Sequence, residues 1–127
     1  MTLSSNDTNE MAGTIRRYVG LLATGSADEL LELFAEDATV EDPVGSEVRT
    51  GRQEIHQFFS ALEAMDRQTE LGLLRIVGQE AAFDFTINFK VGDTRMSLQP
   101  IDTMTFNASG EITSLRSYFA PTDVTSS

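Results

Sequence analysis

A chain of 127 residues with 40% hydrophobic composition is one ordinary domain, long enough to bury a core without disulfide or metal staples. Nine Lys and Arg against 20 Asp and Glu give a net charge of -11, which repels phosphate backbones and anionic membrane surfaces and speaks against nucleic acid as a partner. With no cysteine and a single histidine, disulfides, thiolate chemistry and a histidine-rich metal site are excluded.

No run approaches the roughly 18 apolar residues of a membrane span. The N-terminus lacks the charged segment and apolar core of a secretory signal, so a cytoplasmic single domain over residues 1–127 is expected. The first eight residues and the tail from Thr122 are polar and are expected to fray, leaving a core from about 9 to 121.

From Glu10, the residues Met11, Ile15, Val19 and Leu22 recur at helical spacing with Tyr18 beside them, and Gly25 stops the run. Ser26-Ala27-Asp28-Glu29 then reads as a capping box opening a second, short helix with Leu30, Leu31, Leu33 and Phe34. Asp37 to Pro43 follows as a short strand. Gly51 precedes a third amphipathic helix, whose inner stripe is Ile55, Phe58, Phe59 and Leu62 and whose end lies near Met65.

Farther on, Ala81, Phe83, Phe85, Ile87, Phe89 and Val91 alternate with Ala82, Asp84, Thr86, Asn88 and Lys90, the pattern of a strand with one wet side. Gly78-Gln79 and Gly92-Asp93 bracket it as hairpin turns. A further strand runs from about Arg95 to Phe106, with Pro100 inside it pointing to an edge or a bulge. Asn107 to Gly110 turns into a last strand, Glu111 to Phe119. Helices first and an antiparallel meander afterwards predict an α+β fold, with three helices covering the concave face of a curved sheet.

Two carboxyls stand out chemically. Strand alternation puts Asp42 on the same face as Val40, so a cavity on that face would hold a carboxylate in poor solvent, where burial raises its basicity and suits it to act as a general base. Asp102 shares its face with Leu98, Met104 and Phe106. A lone buried carboxylate there would stay protonated at neutral pH unless a cation paired with it, and a protonated carboxyl donates a hydrogen bond. Tyr18, on the inner stripe of the first helix, supplies a second donor for the same cavity.

Each residue also has a plain structural reading. A tyrosine on an amphipathic stripe is most often a core residue, an Asp-Pro pair after a strand is usually a turn, and a bulge at Pro100 would turn Asp102 outward. His56 suits a surface or half-buried place on the third helix. Arg16, Arg17 and Arg52 read as solvated helix faces, and Glu36, Asp37 and Glu41 as surface acids.

Taken together, Arg17-Tyr18-Val19, the segment Asp37 to Pro43, the Gly51-Arg52 helix start and Ile101-Asp102-Thr103-Met104-Thr105-Phe106 before the Gly110 turn resemble bacterial ketosteroid isomerases from about Met11 to Phe119. That resemblance implies the cone-shaped α+β superfamily of nuclear transport factor two and the polyketide cyclases, a homodimer, no cofactor and no metal. It implies a small apolar ketosteroid-like substrate, with Asp42 as the base moving a proton from C4 to C6. Tyr18 and protonated Asp102 would form the oxyanion hole, a neutral carboxylic acid in that role being already known from ketosteroid isomerases.

Val40, Phe85, Met104 and Phe119 are expected as walls for the steroid rings. Phe34 and Phe59 stand where some members carry tyrosines that extend a hydrogen-bond chain to the oxyanion tyrosine, and Phe119 where some carry a tryptophan. The rivals are a polyketide cyclase or epoxide hydrolase on the same scaffold, or a non-catalytic module for an apolar ligand or a protein. The epoxide hydrolase would need a buried arginine between the acidic elements, and none is evident in the sequence.

Overall fold

The computed structural model describes the backbone of residues 5–126 and the side chains of residues 7–126. Helix α1 (Ser5–Thr24) begins five residues before Glu10, with Asp7 in its first turn where a negative charge suits the helix dipole. Of the eight residues expected to fray, 1–4 lie outside the described residues. Met11, Ile15, Tyr18, Val19 and Leu22 are all buried on its inner stripe. The Gly25 amide donates to the Leu21 carbonyl at 2.7 Å, and a Cβ at Gly25 would press on the Leu21 side chain, so the chain turns there with glycine alone.

The capping box forms as expected: the Glu29 amide donates to Ser26 Oγ, and the Ser26 amide to Glu29 Oε1, each at 3.1 Å. Helix α2 (Ala27–Leu31) is shorter than its apolar run. Leu33 and Phe34, grouped with it in the sequence, lie beyond it, and Phe34 opens strand β1 (Phe34–Glu41). Strand β2 (Arg49–Thr50) pairs antiparallel with β1, and Gly51, at a φ of 85°, turns the chain into α3 (Arg52–Glu63).

Strand β3 (Arg67–Val77) was not anticipated, because a register shift between Leu71 and Leu74 breaks the alternation that would have marked it. Strand β4 (Glu80–Val91) buries Ala81, Phe83, Phe85 and Ile87 as its pattern predicted. The expected Arg95 to Phe106 strand is divided at Gln99-Pro100 into β5 (Thr94–Leu98) and β6 (Ile101–Phe106). Both halves pair with β4, β6 along Glu80 to Asp84 and β5 along Ile87 to Val91. The break leaves the alternation in phase, so Asp102 is buried while Ile101 is exposed.

Strand β7 (Ile112–Tyr118) pairs antiparallel with β6 and parallel with β1, which makes the sheet mixed. A 3-10 turn (Pro121–Asp123) leads to β8 (Thr125–Ser126), which pairs with β5. The tail from Thr122 is therefore tied to the sheet instead of fraying. The result is an α+β fold in which three helices cover an open eight-stranded sheet, with strand order β2-β1-β7-β6-β4-β5-β8 and β3 on the other edge of β4. The core lies between the two layers, built from Ile15, Val19, Phe34, Ile55, Phe59, Phe83, Met104 and Leu115 among others.

Candidate active site

A cavity of about 290 Å³ opens between the helices and the sheet. Tyr18 and Leu22 of α1 line it, with Asp42 and Pro43 after β1, Phe58 and Leu62 of α3, Met65, and Arg67 of β3. Phe85, Ile87 and Phe89 of β4 complete the wall with Leu98, Pro100, Ser117, Phe119 and Val124. Its polar groups come from Tyr18, Asp42, Arg67 and Ser117; the rest is apolar.

Asp42 is carried by the turn that ends β1, and that turn is pinned to β7. The Val44 amide donates to the Ser117 carbonyl at 2.8 Å, while the Ser46 amide and Oγ both donate to the Pro43 carbonyl, at 3.0 and 2.6 Å. One residue earlier, Glu41 takes Arg116 Nε at 2.9 Å and the Gly45 amide at 2.8 Å. These contacts fix the Asp42 backbone while leaving its carboxyl at the cavity. Burial pushes that carboxyl up to about 6, with the Arg49 guanidinium pulling the other way. At neutral pH it is mostly ionised and more basic than an ordinary aspartate.

Asp102 lies on β6 directly across from Ser117 of β7 and is buried; Tyr18, Asp42 and Ser117 line the cavity, whereas Asp102 does not. Ser117 Oγ donates to its Oδ1 at 2.6 Å, and its Oδ2 is buried with no partner among the described residues. Burial pushes its carboxyl up to about 8; the Ser117 bond opposes this, and the Asp42 carboxylate adds to it. Asp102 is then mostly neutral at pH 7, and with Oδ1 already accepting, its proton belongs on Oδ2. The two carboxyls thus separate in protonation state chiefly through burial, with the Asp42 charge adding to the rise at Asp102.

Tyr18 is buried, its ring meeting Phe34, Phe59 and Phe83 edge-on at centroid distances of 6.3, 6.2 and 6.5 Å. Such pairs are worth about 0.5 to 1.5 kcal/mol each beyond area burial, so the cage holds the ring in one orientation. Burial raises the phenol well above its ordinary range, with Asp102 and then Asp42 adding to the effect, so Tyr18 stays a donor.

Of the expected walls, Phe85 and Phe119 line the cavity. Val40 and Met104 do not: both are fully buried core residues behind it, because their strands pass under the helices before reaching the open space. Sequence reasoning missed Ser117, although its place between Leu115 and Phe119 on one face of β7 put a hydroxyl among apolar neighbours. It also missed Arg67, which opens an unrecognised strand, and Val124, which belongs to the tail. His56 lies half exposed on α3, its Nε2 2.8 Å from Asp28 Oδ1 and away from the cavity. Among the described residues no three carboxylate or imidazole side chains gather as metal ligands, and no helix is long and apolar enough to cross a membrane.

A helix-covered open sheet with a carboxyl and a tyrosine at one apolar cavity and a second carboxyl buried against Ser117 defines the class: residues 15–115 match the SnoaL-like domain family, within the nuclear transport factor two-like superfamily, and the chain belongs to that family. More particularly, it is 42% identical over 115 residues to the steroid Delta-isomerase of Nocardioides simplex, covering 91% of this chain and 94% of that protein. The resemblance drawn from the sequence is thereby borne out. A solved structure of SalBIII, an epoxide hydrolase/cyclase-like enzyme with a role in pyran ring formation in the polyether salinomycin, superposes with a TM-score of 0.89 at 27% identity, covering 95% of this chain and 98% of that one. A computationally designed 17-OHP binder shares the fold, with a TM-score of 0.84 at 18% identity over 93% of this chain and 98% of the binder.

Proposed function

We propose that this chain is a steroid Δ-isomerase that moves a carbon–carbon double bond from β,γ to α,β conjugation with a 3-keto group. Asp42 takes a proton from C4 as the C4–H electrons flow toward the carbonyl, giving a dienolate whose oxygen accepts hydrogen bonds from Tyr18 and from the proton of neutral Asp102. The dienolate then collapses and C6 takes the proton back from Asp42. No atom is gained or lost, and no cofactor is called for.

The observation that supports this most is the separation of the two carboxyls, pushed to about 6 and about 8, around a tyrosine that stays protonated. A base near the operating pH and two fixed donors are what enolisation requires. Identity of 42% to a steroid Delta-isomerase over most of both chains points the same way. An epoxide hydrolase or cyclase reading is less well supported. The cavity does hold a buried arginine, Arg67, but the acid that acts on it is Glu63, while the cation acting on Asp42 is Arg49. A non-catalytic binding module would need no donors facing a base.

We also propose a cytoplasmic homodimer through the outer face of the sheet, where the paired Ile101 and Tyr118 are exposed at 55% and 42% beside half-buried Thr103. Incubation with 5-androstene-3,17-dione, following the conjugated enone by its absorbance, tests the main reading. Enone should form catalytically; a rate no greater than that of buffer would overturn the assignment.

A further inference from the structure

Arg67 stands opposite Phe89 at the start of β3 and is only 7% exposed, although it is a cation in a largely apolar cavity. Part of its role is structural. Its Nη1 donates to the Leu62 carbonyl near the end of α3, and its Nη2 to the Gly25 carbonyl just past α1 at 3.3 Å, so the guanidinium closes two helix ends at once. The Nε–H is left over. It is buried and has no partner among the described residues.

A buried donor without an acceptor costs on the order of 1 to 3 kcal/mol, and native structures leave few of them. Burial lowers the Arg67 pKa and the Glu63 carboxylate acts against that shift, so a neutral acceptor is enough for this N–H. Its distance from the reacting end also follows from the fold. Tyr18 and Gly25 are separated by two turns of α1, about 10 Å along the axis. Tyr18 and Arg67 line the same cavity, so a rigid ligand of that length lying along α1 with one oxygen at Tyr18 would bring its other end to the level of Arg67. Leu22, Phe58 and Ile87 are among the apolar side chains lining the same cavity, suiting a fused hydrocarbon skeleton.

We propose that Arg67 is a specificity-determining residue that reads the far end of the substrate, its Nε–H donating to a ketone or hydroxyl oxygen on the ring opposite the reacting ketone. In a steroid that position is C17, so the preferred substrates are 3-ketosteroids carrying oxygen there. This inference rests on the isomerase reading above and adds the substrate feature that reading leaves open.

Equilenin, a phenolic steroid with a C17 ketone, and its 17-deoxy analogue differ only at the atom in question. Fluorescence titration of both with the wild type and with Arg67→Met supplies the test. The wild type should bind equilenin about tenfold more tightly than the analogue, a difference equivalent to about 1.4 kcal/mol. Arg67→Met should bind the two equally, with the affinity of the wild type for the analogue. If Arg67→Met does not fold, Arg67→Lys, which keeps a cation for the helix carbonyls but not the fork, should show the same loss of discrimination. Equal binding of both ligands by the wild type, or discrimination retained in the variant, would overturn the role of Arg67 and leave the isomerase reading standing. Binding of neither ligand by the wild type would bring down both.

Discussion

At the proposed reacting end, Asp42 and Tyr18 line the cavity from the end of β1 and from α1, Asp102 of β6 lies buried against Ser117, and Ser117 of β7 touches the arrangement twice. Its carbonyl holds the Asp42 turn while its hydroxyl holds Asp102. At the other end a single side chain from β3, Arg67, ties α1 to α3 amid Leu22, Leu62, Met65 and Phe89. The first end concentrates titratable groups whose burial separates their protonation states, and so, in the proposed mechanism, it handles the proton. The second end offers contact area and one donor, and so, in the role proposed for Arg67, it selects which molecule stays bound. Substitutions at the acid end should change turnover more than affinity, and those at the arginine end the reverse.

The largest break expected is at the base. Asp42→Asn is nearly isosteric but cannot accept the C4 proton, and turnover should fall by roughly a hundred- to ten-thousandfold. Equilenin affinity and the thermal midpoint should change little. Near wild-type turnover in this variant would remove Asp42 from the chemistry.

Next come the donors. Tyr18→Phe and Asp102→Leu should each slow turnover by roughly a hundred- to a thousandfold, as loss of one hydrogen bond to a developing oxyanion does in a dry site. Unlike the base substitution, each should also weaken equilenin, whose phenolate oxygen stands for the dienolate oxygen. If neither variant alters turnover or equilenin affinity, the two residues do not share a hole.

The pH profile sharpens the contrast between the carboxyls. The proposed mechanism needs Asp42 ionised and Asp102 neutral, so the rate should rise with pH through an apparent pKa of about 6 and fall again through about 8. The hydrogen bond from Ser117 favours the charged form of Asp102 and so lowers its pKa. Ser117→Ala removes that bond, and the alkaline limb should move to higher pH while the acid limb stays in place. A profile in which only the acid limb moves would separate Ser117 from Asp102.

The smallest effect belongs to the aromatic cage. Phe34 and Phe59 meet the Tyr18 ring through edges and offer no phenolic hydroxyl. A hydrogen-bond chain strengthens each member by about ten to thirty per cent, so Phe59→Tyr should change turnover by less than about tenfold. Because Phe59 is fully buried, the new hydroxyl must find a partner or cost about 1 to 3 kcal/mol of stability, read as a lower thermal midpoint.

The acid end was the more legible of the two in the sequence. Alternation alone exposed Asp102 as an acid among apolar neighbours and set Asp42 beside Val40, and helical spacing put Tyr18 on the inner stripe of α1. What alternation cannot give is depth along a strand. Val40 and Met104 face the helices as expected, yet they lie in the packed core, whereas Phe85 and Phe119 on similar faces reach the cavity. The arginine end was illegible for another reason. The register shift between Leu71 and Leu74 hides β3, and without that strand nothing in the sequence marks Arg67 as inward. Likewise Thr125 and Ser126 pair with β5 through backbone groups, which hydropathy does not record, and so Val124 of the tail came to the cavity unannounced.

The central claim is that one carboxyl moves one proton across one face of the substrate. It is tested most directly by 5-androstene-3,17-dione carrying deuterium at C4 on the face presented to Asp42, with the product analysed by NMR after a single turnover in ordinary water. The account predicts that much of the label reappears at C6, since the proton stays on Asp42 in a cavity with apolar walls between the two transfers. Enone formed with the C4 label lost wholly to solvent would contradict transfer by a single sheltered base.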